Sequence, residues 1–130
     1  MKTLFLVEDN QDNAELIRDL IGELYRIVVY PDGASALAAL TDAEGVLPDL
    51  FLLDISLPGM DGKTLLRQIR LQEHLAHIPA LALTAHAMKS DKENLIAAGF
   101  NGYLSKPIMD DQLLIDAIEA NTSPRVSAAA

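Results

Sequence analysis

The sequence contains no cysteine and no long apolar segment, and these absences exclude several classes of protein. Without cysteine there is no disulfide framework, no thiolate metal site and no cysteine nucleophile. No apolar stretch approaches the roughly 20 residues that span a bilayer, and the run after Met1 is too short for a signal peptide. The composition therefore favours a protein of the reducing cytoplasm.

Positive charge is also scarce. Only 10 Lys and Arg residues stand against 19 acidic residues, which gives a formal net charge of −9. Because such a chain is repelled by phosphate backbones and anionic lipids, we expect neither nucleic acid nor membrane among its partners. At 130 residues, half of them apolar, the chain is predicted to form one domain over residues 1–121. Residues 122–130 show no periodicity and are predicted to be a flexible tail.

The apolar residues fall into two alternating kinds of segment. Stripes with three- and four-residue spacing predict helices, and they include Leu24 in the first stripe, Met88 in the fourth and Leu113 in the fifth. Short apolar runs between them predict strands, and the first, third and fourth runs are continuous, as in strands covered on both faces. These runs occupy residues 4–7, 27–30, 50–53, 80–83 and 102–104. Five strands alternating with five helices predict an α/β fold with a doubly wound parallel sheet.

Polar residues mark the ends of several predicted helices. Asp12 and Glu15 have the spacing of a capping box at the start of the first helix. Gly99 is placed to end the fourth helix, and Asp110 is placed to cap the fifth.

Carboxylates follow two of the predicted strands. Glu8 and Asp9 come after the first run, and Asp54 closes the third. In parallel sheets ligand sites form beyond the carboxyl ends of the strands, so these groups should converge. Clustered carboxylates repel one another unless a cation lies between them, and their oxygens suit Mg²⁺. Asp54 is the candidate nucleophile, since a carboxylate can attack phosphorus to give an aspartyl phosphate.

A hydroxyl and an ammonium group follow two further strands. Thr84 closes the fourth run and can hydrogen-bond a phosphoryl oxygen, while Lys106 closes the fifth and offers a positive charge. Lys106 precedes Pro107, which favours an extended lysine and leaves a cis or trans bond open. Taken singly, each of these polar residues has an ordinary structural explanation, such as a helix cap or a solvated strand end. Their order and shared strand-end position make the case together.

With these residues placed, the chain resembles the receiver domain of two-component response regulators over about residues 3–120. Among subtypes it is similar to stand-alone DivK-like regulators and to the receivers of hybrid kinases. The resemblance rests on VEDN at 7–10, DLFLLD at 49–54, LPGMDG at 57–62, IPALALTA at 78–85 and GFNGYLSKP at 99–107.

The resemblance implies a flavodoxin-like sheet of strand order 2-1-3-4-5 and a set of roles at the predicted site. Asp54 would accept a phosphoryl group from the phosphohistidine of a histidine kinase or of a histidine phosphotransfer protein. Mg²⁺ would be held by Asp9, Asp54 and the backbone carbonyl of Ser56, with Glu8 nearby through a water molecule. Thr84 would bind the phosphoryl oxygens.

Lys106 would bind those oxygens as well, and Tyr103 would turn inward when the threonine moves. The protein would then switch its interaction with a downstream protein target, with no enzymatic turnover beyond its own phosphorylation and dephosphorylation. Side chains beside the site, Ser56 and His86, would set the lifetime of the phosphoryl group. An exposed His86 without a role remains the alternative.

Three other functions compete with a stand-alone switch. The chain can be a receiver cut from a hybrid kinase that acts in a phosphorelay, although Met1 directly before the first strand favours an independent product. A phosphatase of the haloacid dehalogenase type also uses Asp, Mg²⁺, Thr and Lys, but Ser56 stands where its second aspartate is expected. A flavin-binding module would need a phosphate cradle after the first strand, where Glu8 and Asp9 would repel the ligand.

Overall fold

The fold is a five-stranded parallel sheet with strand order β2-β1-β3-β4-β5 and helices on both faces. A computed structural model describes residues 2–41, 45, 47–57, 59–85 and 89–122, apart from the side chains of residues 89–91. The predicted fold class and strand order are confirmed. The elements are β1 (Thr3–Val7), α1 (Gln11–Ile21), β2 (Arg26–Tyr30), α2 (Gly33–Leu40), β3 (Leu50–Asp54), α3 (Gly62–Arg70), β4 (Ala80–Thr84), α4 (Lys89–Ala97), β5 (Gly102–Ser105) and α5 (Asp111–Thr122).

The three central strands are buried along their whole length, which explains their continuous apolar sequences. Every residue of β1, β3 and β4 is buried, because helices cover both faces of the sheet. One core cluster contains Phe51, Leu65 and Leu66, on the side of α2 and α3. The other contains Ile17 and Leu114, on the side of α1 and α5. Two apolar layers therefore hold the central strands in place.

The first helix begins differently from the prediction. Its N-cap is Asn10, which has extended backbone angles and whose side chain accepts a hydrogen bond from the N–H of Asn13 at 3.1 Å. The predicted capping box of Asp12 and Glu15 is therefore wrong. Asp12 lies within the first turn, where its negative charge interacts favourably with the helix dipole.

Two predicted core leucines are exposed. Leu24 lies beyond the end of α1 at Ile21 and is 54% exposed, and Leu113 is 58% exposed because α5 turns Leu114 toward the sheet instead. The helix-end predictions fare better. Gly99 follows α4 with a φ of 108°, and the side chain of Asp110 accepts a hydrogen bond from the N–H of Leu113. The predicted helical residue Met88 lies outside the described residues.

Polar contacts fasten the end of α5 to the start of β1. Lys2 Nζ lies 3.0 Å from Glu119 Oε1 and donates to Thr122 Oγ1 at 2.9 Å. The hydroxyl of Tyr25, which follows α1, donates to Glu119 Oε2 at 2.5 Å. Helix α5 includes Thr122, which is buried, although the predicted tail begins at that residue. Residues 123–130 of that predicted tail lie outside the described residues.

We expect Gly62→Ala to lower the free energy of unfolding by about 1–3 kcal/mol, because the backbone of β3 leaves no room for a methyl group. A Cβ at Gly62 would lie 2.5 Å from the carbonyl oxygen of Asp54 and 3.0 Å from Ile55 Cα. Gly33→Ala is the matched control, since both glycines begin a helix directly after an aspartate N-cap. Its Cβ would meet the flexible Met60 side chain at 3.1 Å. Urea unfolding followed by circular dichroism should separate the two variants, and equal midpoints would contradict the expectation.

Candidate functional site

The parallel strands bring four polar groups to one edge of the sheet. Val7 of β1 pairs with Leu53 of β3. The residues that follow them, Glu8 and Asp54, therefore lie side by side at the same end of the sheet. Asp54 pairs with Leu83, one residue before Thr84. The carboxyl ends of β1, β3 and β4 therefore meet, as the apolar runs predict.

Lys106 completes this cluster from the end of β5. Its N–H donates to the carbonyl of Thr84 at 2.8 Å, which continues the pairing of β4 with β5 beyond Ser105. Its ammonium Nζ lies 3.0 Å from Asp54 Oδ2 and 3.2 Å from Glu8 Oε1. The Lys106–Pro107 peptide bond, which the sequence left open, is cis. One ammonium group therefore faces two buried carboxyl groups.

Burial and mutual repulsion give the two carboxyl groups different proton affinities. Glu8 and Asp54 are each only 2% exposed. Burial, together with the neighbouring Asp54, raises the pKa of Glu8 to about 7. Burial alone would raise the pKa of Asp54 too, but hydrogen bonds from Glu8, from the Ser56 N–H and from Lys106 lower it. Asp54 is thus the carboxyl group that stays ionised at neutral pH.

Lys106 keeps its charge in the same pocket. Burial opposes the charged ammonium, but the ion pairs with Asp54 and Glu8 raise the pKa of Lys106 above its usual value. The backbone also supports Asp54, because the N–H of Ser56 donates to Asp54 Oδ1 at 3.0 Å. One oxygen of Asp54 is therefore held by the backbone and the other by Lys106.

The carboxylate oxygens suit a small hard cation. Oxygens of Glu8, Asp9 and Asp54 lie within 4.8 Å of one another, and Asp9 is exposed to solvent. Glu8 Oε1 is buried and accepts no hydrogen bond, since the Lys106 ammonium at 3.2 Å lacks hydrogen-bond geometry. An all-oxygen donor set containing a buried oxygen without a hydrogen bond matches the preferences of Mg²⁺. The residues present therefore fit this ion.

Thr84 and Tyr103 lie on neighbouring strands and on the same face of the sheet. Tyr103 pairs with Ala82, and Thr84 lies two residues further along β4, so the side chains of these three residues share a face. Thr84 is buried, whereas Tyr103 is partly buried against the core on the α2–α3 side. A movement of Thr84 can therefore affect the position of Tyr103, because the two side chains lie on the same face of the sheet on neighbouring strands.

Two neighbours of the site were not among the residues predicted from the sequence. Gly62 lets the start of α3 approach the backbone of Asp54, and its position directly after the N-cap Asp61 is a signal that could have pointed to a close contact. Lys92 of α4 places its ammonium 5.9 Å from the centre of the Tyr103 ring. Nothing in the sequence pattern shows that pairing. His86, the predicted lifetime residue, lies outside the described residues.

Sequence comparison agrees with this fold. Residues 4–119 match the family model of the response regulator receiver domain. The chain therefore belongs to the response regulator receiver domain family, the class of two-component signalling proteins. This membership argues against the phosphatase and the flavin module considered above.

Individual relatives show which members of the receiver domain family this chain is similar to. A polar-differentiation response regulator DivK of Brucella ovis is 40% identical over 108 residues, which are 82% of this chain and 85% of that protein. A putative response regulator of Chloroflexus aurantiacus has a TM-score of 0.85 at 31% identity, over 95% of this chain and 98% of the other. This protein is thus similar to DivK regulators in sequence and to receivers in structure.

A third relative is part of a kinase. The receiver domain of the sensor histidine kinase PA1611 of Pseudomonas aeruginosa has a TM-score of 0.80 at 35% identity, over 95% of this chain and 98% of that chain. Its structure holds a magnesium ion coordinated in the active-site cleft. In the part of this chain that the structure describes, no helix has the length and apolar character needed to cross a membrane.

Proposed function

We propose that this protein is a phosphoacceptor whose Asp54 takes a phosphoryl group from a phosphohistidine. A carboxylate oxygen of Asp54 attacks phosphorus, the bond between phosphorus and the donor imidazole nitrogen breaks, and the electron pair leaves with the imidazole. The product is an acyl phosphate on Asp54. The reaction needs alignment and charge neutralisation more than covalent help from the protein.

Each neighbouring residue then has a defined task. Lys106 offsets the negative charge of Asp54 and later that of the phosphoryl oxygens, and Thr84 donates its hydroxyl hydrogen to one of those oxygens. Asp9, Asp54 and the backbone carbonyl of Ser56 would hold Mg²⁺, with Glu8 reaching it through water. The ion supplies further positive charge for the transferring group.

The contact between Lys106 Nζ and Asp54 Oδ2 at 3.0 Å is the observation that carries the proposal. It joins groups that are 52 residues apart in sequence, and it places a permanent cation at a buried, ionised carboxylate. A buried ion pair costs desolvation energy and adds little stability over apolar packing. A chemical role for this pair is a better explanation than a stabilising one.

Trapping the acceptor residue tests the proposal directly. The protein should be incubated with acetyl phosphate and MgCl₂, and the acyl phosphate reduced with borohydride, which converts the modified aspartate to homoserine. Peptide mass spectrometry is expected to find homoserine at position 54 only. Omission of MgCl₂ or of acetyl phosphate provides the controls, and modification at Asp9, Asp32 or another aspartate would contradict the assignment.

Phosphorylation is proposed to switch a protein–protein interaction. Addition of about 1.5–2 negative charges beside Thr84 draws this residue toward the phosphoryl oxygens, and Tyr103 follows on the same face of the sheet. The change would bias the surface around β5 toward a conformation that a downstream protein recognises. Histidine kinases or phosphotransfer proteins, the general partners of receivers, would supply the phosphoryl group.

A relay role is the second candidate, because the chain is 35% identical to the receiver of a sensor histidine kinase. A relay receiver passes its phosphoryl group on to a histidine phosphotransfer protein, whereas a switch retains it and binds a target. Labelled phosphoprotein mixed with histidine phosphotransfer proteins of the same organism separates these roles. Rapid loss of label to one such protein would favour the relay.

A further inference from the structure

The outer edge of β2 is an unpaired strand edge in the part of the chain that the structure describes. β2 pairs with β1 only and is the first strand of the sheet order. Between Arg26 and Pro31 it consists of four uncharged residues, Ile27–Tyr30, all half-buried. Edge strands usually carry a charge or a proline in their middle, which prevents other chains from pairing with them. β2 lacks this protection.

The peptide groups of two residues point away from the sheet. The N–H of Arg26 donates to the carbonyl of Lys2, and the carbonyl of Tyr30 accepts from the N–H of Glu8, so both residues turn their peptide groups toward β1. Direction alternates along a strand, and therefore Ile27 and Val29 turn their N–H and C=O groups outward. These groups form a ready template for another strand.

A groove between α1 and β2 runs beside this edge. One hollow of about 190 Å³ is lined by Val29 together with Ala14, Glu15 and Arg18 of α1. A second hollow of about 310 Å³ is lined by Ile27, Arg18 and Arg26. Arg18 belongs to both, so the two hollows lie in series. They are spaced by two residues of β2, which is the spacing of side chains on one face of an extended peptide.

Two arginines, Arg18 and Arg26, and one acid, Glu15, line the groove, so its charge is positive although the protein as a whole carries a net charge of −9. Arg18 and Arg26 are exposed, and neither forms an ion pair with any described residue. A segment with acidic residues would pair with them. A second copy of this acidic chain would be repelled over most of its surface.

We propose that the outer edge of β2 binds an extended acidic segment of a partner protein as a sixth strand. The segment carries apolar side chains at alternate positions for the two hollows, with acidic residues on either side of them. Its backbone pairs with the outward groups of Ile27 and Val29, and its carboxylates meet Arg18 and Arg26. This interaction needs neither Asp54 nor its phosphorylation, so it stands apart from the function proposed above.

Titration with a short peptide tests the proposal. The probe is the acetylated and amidated pentapeptide Asp-Val-Thr-Val-Asp, whose symmetric sequence suits either strand direction. Added to ¹⁵N-labelled protein, it should shift the amide resonances of Ile27 and Val29 in a saturable way, with a Kd of about 1 mM or lower. Arg18→Ala and Arg26→Ala should each weaken binding by about threefold, as expected for exposed ion pairs.

Two controls distinguish strand pairing from nonspecific binding of the peptide. The same peptide N-methylated at its three central residues cannot pair through either edge and should not bind. Val29→Lys should abolish binding, whereas Leu71→Lys, which changes a leucine that is 72% exposed elsewhere, should leave it unchanged. Equal binding of the N-methylated peptide, or no saturable shift at Ile27 and Val29, would overturn the proposal. So would concentration-dependent self-association through these amides, which would assign the edge to a second copy.

Discussion

Asp54→Asn will leave the protein folded and reduce the incorporation of phosphoryl groups from acetyl phosphate to background. The amide of asparagine lacks the negative charge that attacks phosphorus, while its oxygen can still accept the Ser56 N–H that lies 3.0 Å from Asp54 Oδ1. The shape of the site is thus retained and only its nucleophile is lost. Intact-protein mass spectrometry after incubation with acetyl phosphate and MgCl₂ measures the phosphorylated fraction.

Asp32→Asn is the matched control for this loss. Asp32 also follows a strand at the same edge of the sheet, and its side chain caps α2 by accepting the N–H of Ser35 at 2.7 Å. Asparagine caps a helix as well as aspartate does, so this variant should be phosphorylated like the wild type. Phosphoryl groups retained on Asp54→Asn, or lost equally on Asp32→Asn, would refute Asp54 as the acceptor.

Asp9→Ala will weaken the binding of Mg²⁺ by at least about tenfold. The carboxylate of Asp9 is the exposed member of the cluster with Glu8 and Asp54. The other two carboxyl groups already form ion pairs with Lys106. Without Asp9 an incoming ion meets fewer carboxylates and the same repelling ammonium group. Isothermal titration calorimetry with MgCl₂ gives the affinity directly.

Asp12→Ala controls for the change in overall charge. Asp12 is an exposed acid in the first turn of α1, three residues after Asp9. Its removal lowers the negative charge by the same amount but leaves the cluster intact, so the affinity for Mg²⁺ should stay within about twofold of the wild type. An equal loss in both variants would indicate a diffuse electrostatic effect instead of a site.

Apolar continuity and strand-end polarity carried most of the correct predictions about the fold. The buried runs of β1, β3 and β4 were recognisable because only strands covered on both faces are apolar at every position. The apolar stripes of the helices predicted the helix ends and the buried faces less well. Leu24 and Leu113 fit the spacing of their helices, but spacing cannot show where a helix ends or which face a neighbouring helix covers.

The convergence of Glu8, Asp9, Asp54 and Lys106 followed from the topology, since parallel strands end at one edge. The sequence could not show that the Lys106 ammonium contacts both carboxyl groups, with its Nζ 3.0 Å from Asp54 Oδ2 and 3.2 Å from Glu8 Oε1. The pKa of Glu8 is raised and that of Asp54 is lowered because of the balance between burial and the different hydrogen bonds that each carboxyl group makes. Neither can be read from residue types.

The hydrogen bonds of Arg70 could not be predicted from the sequence for a similar reason. Its guanidinium donates to the carbonyls of Ile78 and Gly99 and to Asn101 Oδ1, and it pairs with no described acid. These acceptors are 8 to 31 residues away along the chain. Arg70 thereby joins the end of α3 to the turns before β4 and β5, at the edge of the sheet opposite Asp54. An arginine near the end of an amphipathic helix is ordinarily expected to be solvated.

The contact of Lys2 with Glu119 and Thr122 has a consequence for protein architecture. It places the start of the first strand beside the end of the last helix, across 117 residues of sequence. A domain whose entry and exit points adjoin can be inserted into a loop of another protein without forcing that loop apart. The same adjacency permits circular permutation. The contacts of Lys2 thus mark a place in the fold where the unit can be joined to another protein at both of its ends.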